Sequence, residues 1–394
     1  SQTTTEHLLA RLRAGEELHL RDRLLLTMRL SLPAILAQIS SVFMQYIDAS
    51  MVGQLGANDS ASIGLVSTST WLFGGICVSI TAGFTVLVAQ EIGARNERAA
   101  RDILKQALVI SLGFSLVLMA MGSLIAAPLP GWLGGDAAIR QNASAYFLVF
   151  ILSLPLMQIS SLAGGMLQCS GNMRIPSILN ILMCVLDVIF NAVLIFPTRA
   201  VAVFGNTVVL PGAGLGVAGA ALGTALAEGL IALWMLWILL FRTPMLQLRG
   251  EEPLNFHPEQ IKSALKIAAP VAVEQIVRCG AMIGTTLIVS PLGTVAIAAN
   301  SFAITAESIC YMPGYGISTA ATTLVGQSIG AGRRKLARSL AWLTTALGML
   351  VMTGTGLLMY IFAPQMIGML TPDAEIRALG ITVLRIEAFC EPLY

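Results

Sequence analysis

The side chains that could do chemistry in this chain are charges set in otherwise apolar sequence. Asp48, Asp187, Glu228, Glu274, Arg278, Glu307, Arg385 and Glu387 all lie in or against long aliphatic and aromatic runs. An ionisable group at membrane depth costs at least ~2.5–3.5 kcal/mol on insertion scales, so each needs a partner, an aqueous cavity or a task. Asp187 and Asn191 are four apart and share one helical face, where a carboxylate and an amide can jointly coordinate a cation or share a proton. Thr224 can add a hydroxyl ligand, with Glu228 one turn further along. Glu274 and Arg278 are also one turn apart, whereas Arg385 and Glu387, two apart, do not face each other and need separate partners. No Ser/His/Asp set and no phosphate-cradling glycine loop is present, and the six cysteines have no metal-like spacing. The chain is therefore read as no enzyme, with no resident cofactor and no metal.

The elements that must position these charges follow from composition. The chain is 56% hydrophobic and 11% charged, with a mean hydropathy of +0.80; soluble domains carry about 25% charged residues. Apolar runs near 30–54, 62–90, 103–127, 143–168, 175–197, 214–241, 264–290, 296–328, 337–362 and 378–394 reach the ~20 residues that a helix needs to cross a ~30 Å hydrocarbon core. They predict ten crossings in an all-α integral membrane protein, since the runs are continuous rather than alternating. Arg11, Arg13, Arg21, Arg23 and Arg29 precede the first crossing; Arg95, Arg98, Arg101 and Lys105 follow the second. Arg242, Arg249, Lys262 and Lys266 follow the sixth, and Arg333, Arg334, Lys335 and Arg338 the eighth. The positive-inside rule places the N-terminus and these loops in the cytoplasm, and the net charge of +2 reflects that asymmetry rather than nucleic-acid binding. Residues 5–19, with Leu8, Leu9, Leu12 and Leu18 among charges, are read as a tail ahead of the bundle, with a surface helix as the alternative.

The chain also repeats itself at one constant offset, without a gap. Pro33 falls on Pro270, Gln38-Ile39 on Gln275-Ile276, Leu55-Gly56 on Leu292-Gly293, Gln90 on Gln327, and Ile92-Gly93-Ala94 on Ile329-Gly330-Ala331. Six crossings, an even number, fit inside that offset, so the copies enter from the same side and form two parallel six-helix lobes. The expected organisation is a cytoplasmic segment 1–22, a first lobe 23–242, a cytoplasmic linker 243–262 and a second lobe 263–394. Tyr394 corresponds to Met157, so the expectation is a fragment with ten helices of twelve. Glu274, Arg278, Glu307, Arg385 and Glu387 replace Ala37, Ser41, Thr70, Leu148 and Phe150 of the first copy. The duplicated fold did not require them, which makes them candidates for lobe-specific function.

Three stretches carry a family resemblance: Tyr46-Ile47-Asp48-Ala49-Ser50-Met51-Val52-Gly53-Gln54-Leu55-Gly56, Leu324-Val325-Gly326-Gln327-Ser328-Ile329-Gly330-Ala331-Gly332 with its first-lobe copy, and Gly214-Leu215-Gly216-Val217-Ala218-Gly219-Ala220-Ala221. With the lobe repeat, they resemble the multidrug and toxic compound extrusion family from about residue 25 onward. The resemblance implies a V-shaped pair of lobes in the bacterial plasma membrane, the inner membrane, exporting drugs and organic, often cationic, compounds in exchange for inward H⁺ or Na⁺. It implies a first helix bent at Pro33 with an acidic residue, Asp48, toward its outer end. The ion-coupling set is then Asp48, Asp187, Asn191 and Thr224, with H⁺ preferred to Na⁺. Many family members have the amide before the carboxylate on the fifth helix, and here that order is inverted. Glu274, Gln275, Arg278, Glu307 and Glu387 are assigned to the second-lobe side of the substrate cavity, whose selectivity eighteen Met and fourteen Phe can soften. A monomer is expected. A flippase for lipid-linked sugars is the alternative, but few Lys or Arg are available inside the helices to hold a polyanionic head group.

Overall fold

The computed structural model describes residues 2–248, 252–370 and 372–394, with Gln2, Ala57, Ser60, Ser290, Thr294 and Ile297 described by their backbone alone; Arg249 and Glu251 of the interlobe stretch lie outside the described residues. Helices are α1 (Gln2–Ala14), α2 (Leu20–Gly53), α3 (Ala57–Gly93), α4 (Glu97–Ile125), α5 (Leu129–Trp132), α6 (Ala137–Leu152), α7 (Leu154–Cys169), α8 (Arg174–Ile195), α9 (Val217–Phe241), α10 (Pro258–Val289), α11 (Thr294–Gly330), α12 (Arg334–Leu370) and α13 (Ala374–Ala388). Among the described residues, seven are long and apolar enough to cross a membrane, or eight if the bent pair α6 and α7 is counted as one span. The bend of 45° falls at Ser153 and Pro155, where proline removes a helical N–H. Ten helical crossings were expected. All ten runs are helical, but α11 and α13 are not among these spans; α13 has only 15 residues and carries Arg377, Arg385, Glu375 and Glu387.

The repeat is visible in the helix boundaries. Ala57 and Thr294, Gly93 and Gly330, Glu97 and Arg334, and Ala137 and Ala374 open or close corresponding helices at the same offset that relates Pro33 to Pro270. Arg95 takes φ 59° in the turn before α4, and its counterpart before α12 is Gly332 at φ 76°. The left-handed turn is thus kept even where the first copy must place a side chain there. Pro33 and Pro270 both lie inside unbroken helices.

The two lobes meet through crossed pairs, α2 on α11 and α3 on α10, which the repeat exchanges with each other. Near one end the exchange is symmetrical at atomic detail: a Cβ on Gly93 would meet Gln327 O at 2.0 Å, and one on Gly330 would meet Gln90 O at 1.7 Å. Only glycine permits that approach of the backbones. Gln327 Nε2 donates to Cys169 O (2.8 Å) and Thr323 Oγ1 to Gln168 O (2.9 Å), tying α11 to the end of α7. The turns rich in Lys and Arg gather at this end.

Residues 5–19 are not a tail. Leu8, Leu9, Leu12 and Leu18 are buried against Leu26, Leu30, Met173, Ala320, Leu324, Leu336 and Leu340. Arg13 Nε donates to Gln327 Oε1 (3.3 Å) and Arg333 Nη1 to Leu12 O (3.2 Å). The charged face of this segment hid an apolar face that has somewhere to go only once the lobes are assembled. The residues after α9 sit on the first lobe in the corresponding way: Leu246, which the repeat pairs with Leu9, is fully buried there. Arg101 binds Glu252 through Nε (3.1 Å) and Nη2 (2.9 Å), with Lys105 Nζ 3.5 Å from the same carboxylate. An unforeseen antiparallel hairpin, β1 (Pro197–Val203) and β2 (Asn206–Ala213), joins α8 to α9 and turns at Phe204-Gly205.

Candidate functional site

Helix α2 lies between the lobes, against α8 on one side and α11 on the other, so Asp48 sits on the element that both lobes share. Asn191 Nδ2 donates to Asp48 Oδ1 at 2.8 Å and to Asp187 Oδ2 at 3.3 Å, so one amide bridges two carboxylates. Asp187 and Asn191 are wholly buried. Asp187 Oδ1 and Asn191 Oδ1 are buried without any hydrogen-bond donor. Helix α9 presses on this group through Gly223, where a Cβ would stand 2.1 Å from Asn191 Oδ1; one turn away Gly219 packs the same two helices, where a Cβ would stand 2.6 Å from Leu194 O. Of the glycines at 212, 216, 219 and 223, these two serve the close packing of α9 on α8. Gly212 lies in the hairpin and Gly216 meets nothing within 4 Å.

Thr224 Oγ1 donates to Ala220 O at 3.1 Å and also lies against the Asp187 carboxyl, so its one proton serves both a backbone carbonyl and the site. Carboxylates only accept, and the amide offers two donors at most. The group therefore holds buried acceptors in excess of donors. Such an excess is relieved by adding a proton or a cation.

The second-lobe charges fall into two sets. Arg278 Nη2 donates to Glu274 Oε1 (2.5 Å) and Nη1 to Tyr315 Oη (2.6 Å) on α11. Tyr315 packs edge-on to Tyr311, which stacks on Tyr394 at 4.9 Å. Gln275 is set apart from these, packed against Gly75 of α3. Glu307 of α11 meets Glu387 of α13 and Glu391, which follows it. Contacts among three carboxyls are hydrogen bonds only when at least one carries a proton; fully ionised, Glu391 Oε1 and Oε2 and Glu387 Oε2 are buried without a donor. Arg385 points elsewhere, its Nε donating to Tyr360 O at 3.3 Å. Glu391 was missed in the sequence, although its i, i+4 spacing from Glu387 was available as a signal. Tyr46 was missed as well: its hydroxyl donates to Thr305 O (2.8 Å), joining α2 to α11 two residues before Asp48 and two before Glu307.

The MatE family model matches residues 33–193 and 270–394, most of the chain and both copies of the repeat. The chain belongs to the MatE family. Among relatives of this MatE chain, the probable multidrug resistance protein NorM of Thermotoga maritima is 25% identical over 349 residues, covering 88% of this chain and 72% of the relative. The protein of the same name from Mannheimia succiniciproducens is 26% identical, covering 91% and 75%. The uncharacterized transporter YisQ of Bacillus subtilis is 26% identical, covering 89% and 74%. The fold matches the outward-facing conformation of a multidrug resistance MATE family transporter of the MOP superfamily with a TM-score of 0.84 at 19% identity, covering 93% of this chain and 79% of that one. It also matches the Vibrio cholerae MATE transporter VcmN with a TM-score of 0.79 at 20% identity, covering 99% and 81%. This MatE chain is thus a multi-pass membrane transporter of two helical lobes.

Proposed function

We propose that this chain is a secondary active multidrug efflux antiporter that exchanges organic, often cationic, compounds for inward H⁺. The observation that carries the reading is the bridge from Asn191 to Asp48 and Asp187, with Asp187 Oδ1 and Asn191 Oδ1 left as buried acceptors. The site neutralises itself by taking up a cation, and two free oxygens suit a proton better than Na⁺, which takes several oxygen ligands at once. Asp48 lies on α2, whose other face bonds α11 through Tyr46, so uptake at Asp48 acts on the seam between lobes. Binding then biases a two-state lobe equilibrium, with protons entering from outside favouring release of substrate to that side. The ion-coupling set is Asp48, Asp187, Asn191 and Thr224, and Pro33 is the point at which α2 bends as the state changes. Glu274, Gln275, Arg278, Glu307 and Glu387 line the second-lobe side of the substrate cavity.

The lobes are 23–242 and 263–394, the segments 1–22 and 243–262 face the cytoplasm, and the protein works as a monomer in the bacterial inner membrane. The relatives named as multidrug resistance proteins support the substrate class. Proteoliposomes with an imposed pH gradient and no Na⁺ test the reading: export driven by the pH gradient is expected, and it is lost in Asp48→Asn at equal protein. Export that appears only with a Na⁺ gradient overturns the choice of ion, and export by Asp48→Asn at the parental rate overturns the site.

A further inference from the structure

At the end where the lobes are closed, a cavity of about 850 Å³ opens between the α1–α2 elbow and the α11–α12 turn. That is within the ~300–1,000 Å³ of small-ligand sites. Four cations line it, Arg23, Arg333, Arg334 and Lys335, together with His19 and one acid, Glu17. The elbow's other acids, Glu16 and Asp22, are both engaged by Arg11, at 2.9 and 3.4 Å. Arg23 is held in place by Nε on Leu18 O (2.9 Å) and Nη1 on Ser339 Oγ (2.7 Å), and Arg333 by Leu12 O, which leaves guanidinium donors of both unused.

The duplicated fold does not demand this charge. The first-lobe counterparts of 333–335 are Asn96, Glu97 and Arg98, and Asn96 caps α4 by accepting from Ala99 N at 3.2 Å. The second copy gives up that cap for a guanidinium. Below the cavity, Leu20, Leu24, Met28 and Leu32 form an exposed apolar stripe at four-residue spacing down α2. We infer that this cavity binds the head group of an anionic phospholipid, its phosphate diester against Arg23, Arg334 and Lys335 and its acyl chains along the α2 stripe. The stripe is what selects a lipid over a free phosphate ion. Occupancy fastens the elbow of the α1 segment to the second lobe, so the lipid stabilises the closed arrangement of this end.

The test uses the full chain in detergent, stripped of lipid, with phosphatidylglycerol and phosphatidylcholine titrated separately and bound lipid counted by native mass spectrometry. Phosphatidylglycerol is expected to bind at least about tenfold more tightly. Arg23→Ala with Arg334→Ala and Lys335→Ala weakens it roughly a hundredfold, each near-surface cation contributing roughly a fivefold factor. Arg98→Gln, outside the cavity, leaves it unchanged. Because Arg23 also holds Ser339, the milder pair Arg334→Gln and Lys335→Gln is measured too, and a loss of roughly thirtyfold is expected. Equal binding of both lipids by the parent, or parental affinity in the pair variant, overturns the inference. Displacement of the lipid by inorganic phosphate at matching concentration assigns the cavity to free anions and overturns it equally.

Discussion

Replacing Gly223 by alanine probes the proposed coupling site without touching any of its chemical groups. The added methyl carbon would stand 2.1 Å from Asn191 Oδ1 and 3.0 Å from Asn191 N, against an ordinary contact of ~3.5 Å. The amide must therefore retreat by more than about 1 Å. It is not free to do so, because its nitrogen is bonded to Asp48 at 2.8 Å and Asp187 at 3.3 Å. Overpacking of this kind costs about 1–3 kcal/mol, and losing a hydrogen bond to a carboxylate costs about 1.5–3 kcal/mol more. Gly219→Ala is the matched control, since its methyl would stand 2.6 Å from Leu194 O and overpack the same two helices away from the site. Both variants should be less stable to heat in detergent. Only Gly223→Ala should lose pH-driven export in proteoliposomes, by at least tenfold, the factor that about 1.4 kcal/mol sets. Export by Gly223→Ala at the parental rate, or equal losses in both variants, would refute the reasoning that the amide bridge couples transport.

Three further outcomes follow from other contacts. Asp187→Asn alone should abolish export, and adding Asn191→Asp should restore part of it by returning one carboxylate to the same face; transport by the single mutant at the parental rate counts against the site. Leu12→Asp places a charge in a fully buried position that holds α1 to the second lobe, forfeiting about 1.5–3 kcal/mol of apolar burial. Protease cleavage between Gly15 and His19 should rise sharply, and an unchanged cleavage rate would mean that α1 is held by something else. Arg101 and Lys105 hold the Glu252 carboxyl below its usual range, so its contribution of roughly 1–2 kcal/mol, between exposed and buried pairs, is full above the unfolded value of about 4.3 and fades as pH falls through the lower folded value. Protection of the amides near Glu252, with uptake corrected for the intrinsic pH dependence of exchange, should be flat from neutral pH to about 5 and fall only under stronger acid, while Glu252→Gln should already show the lowered protection at neutral pH.

Much of this molecule was legible in one dimension because the bilayer imposes local rules. A crossing helix must be apolar for its whole length, so composition announced the class and the runs announced the helices. An ungapped duplication keeps each helix boundary in register, which is why Gly93 and Gly330 close equivalent helices in the two lobes. The i, i+4 spacing of Asp187 and Asn191 placed them on one face before any fold was known. Contacts between distant segments were not legible. Nothing local tells Asn191 that Asp48 lies within 2.8 Å, or Tyr46 that Thr305 accepts its proton, because those distances depend on how α2 docks between the lobes. The leucines of α1 read as a tail since their partners, Leu324 and Leu336 among them, belong to the second lobe, far along the chain. Glu391 is a mixed case: its four-residue spacing from Glu387 was there to be read, but its company with Glu307 is made only by the packing of α11 against the residues that follow α13. Sequence determined the helices, their repeat and the carboxylates they carry; tertiary packing alone decided which carboxylates share a donor and which are left buried without one.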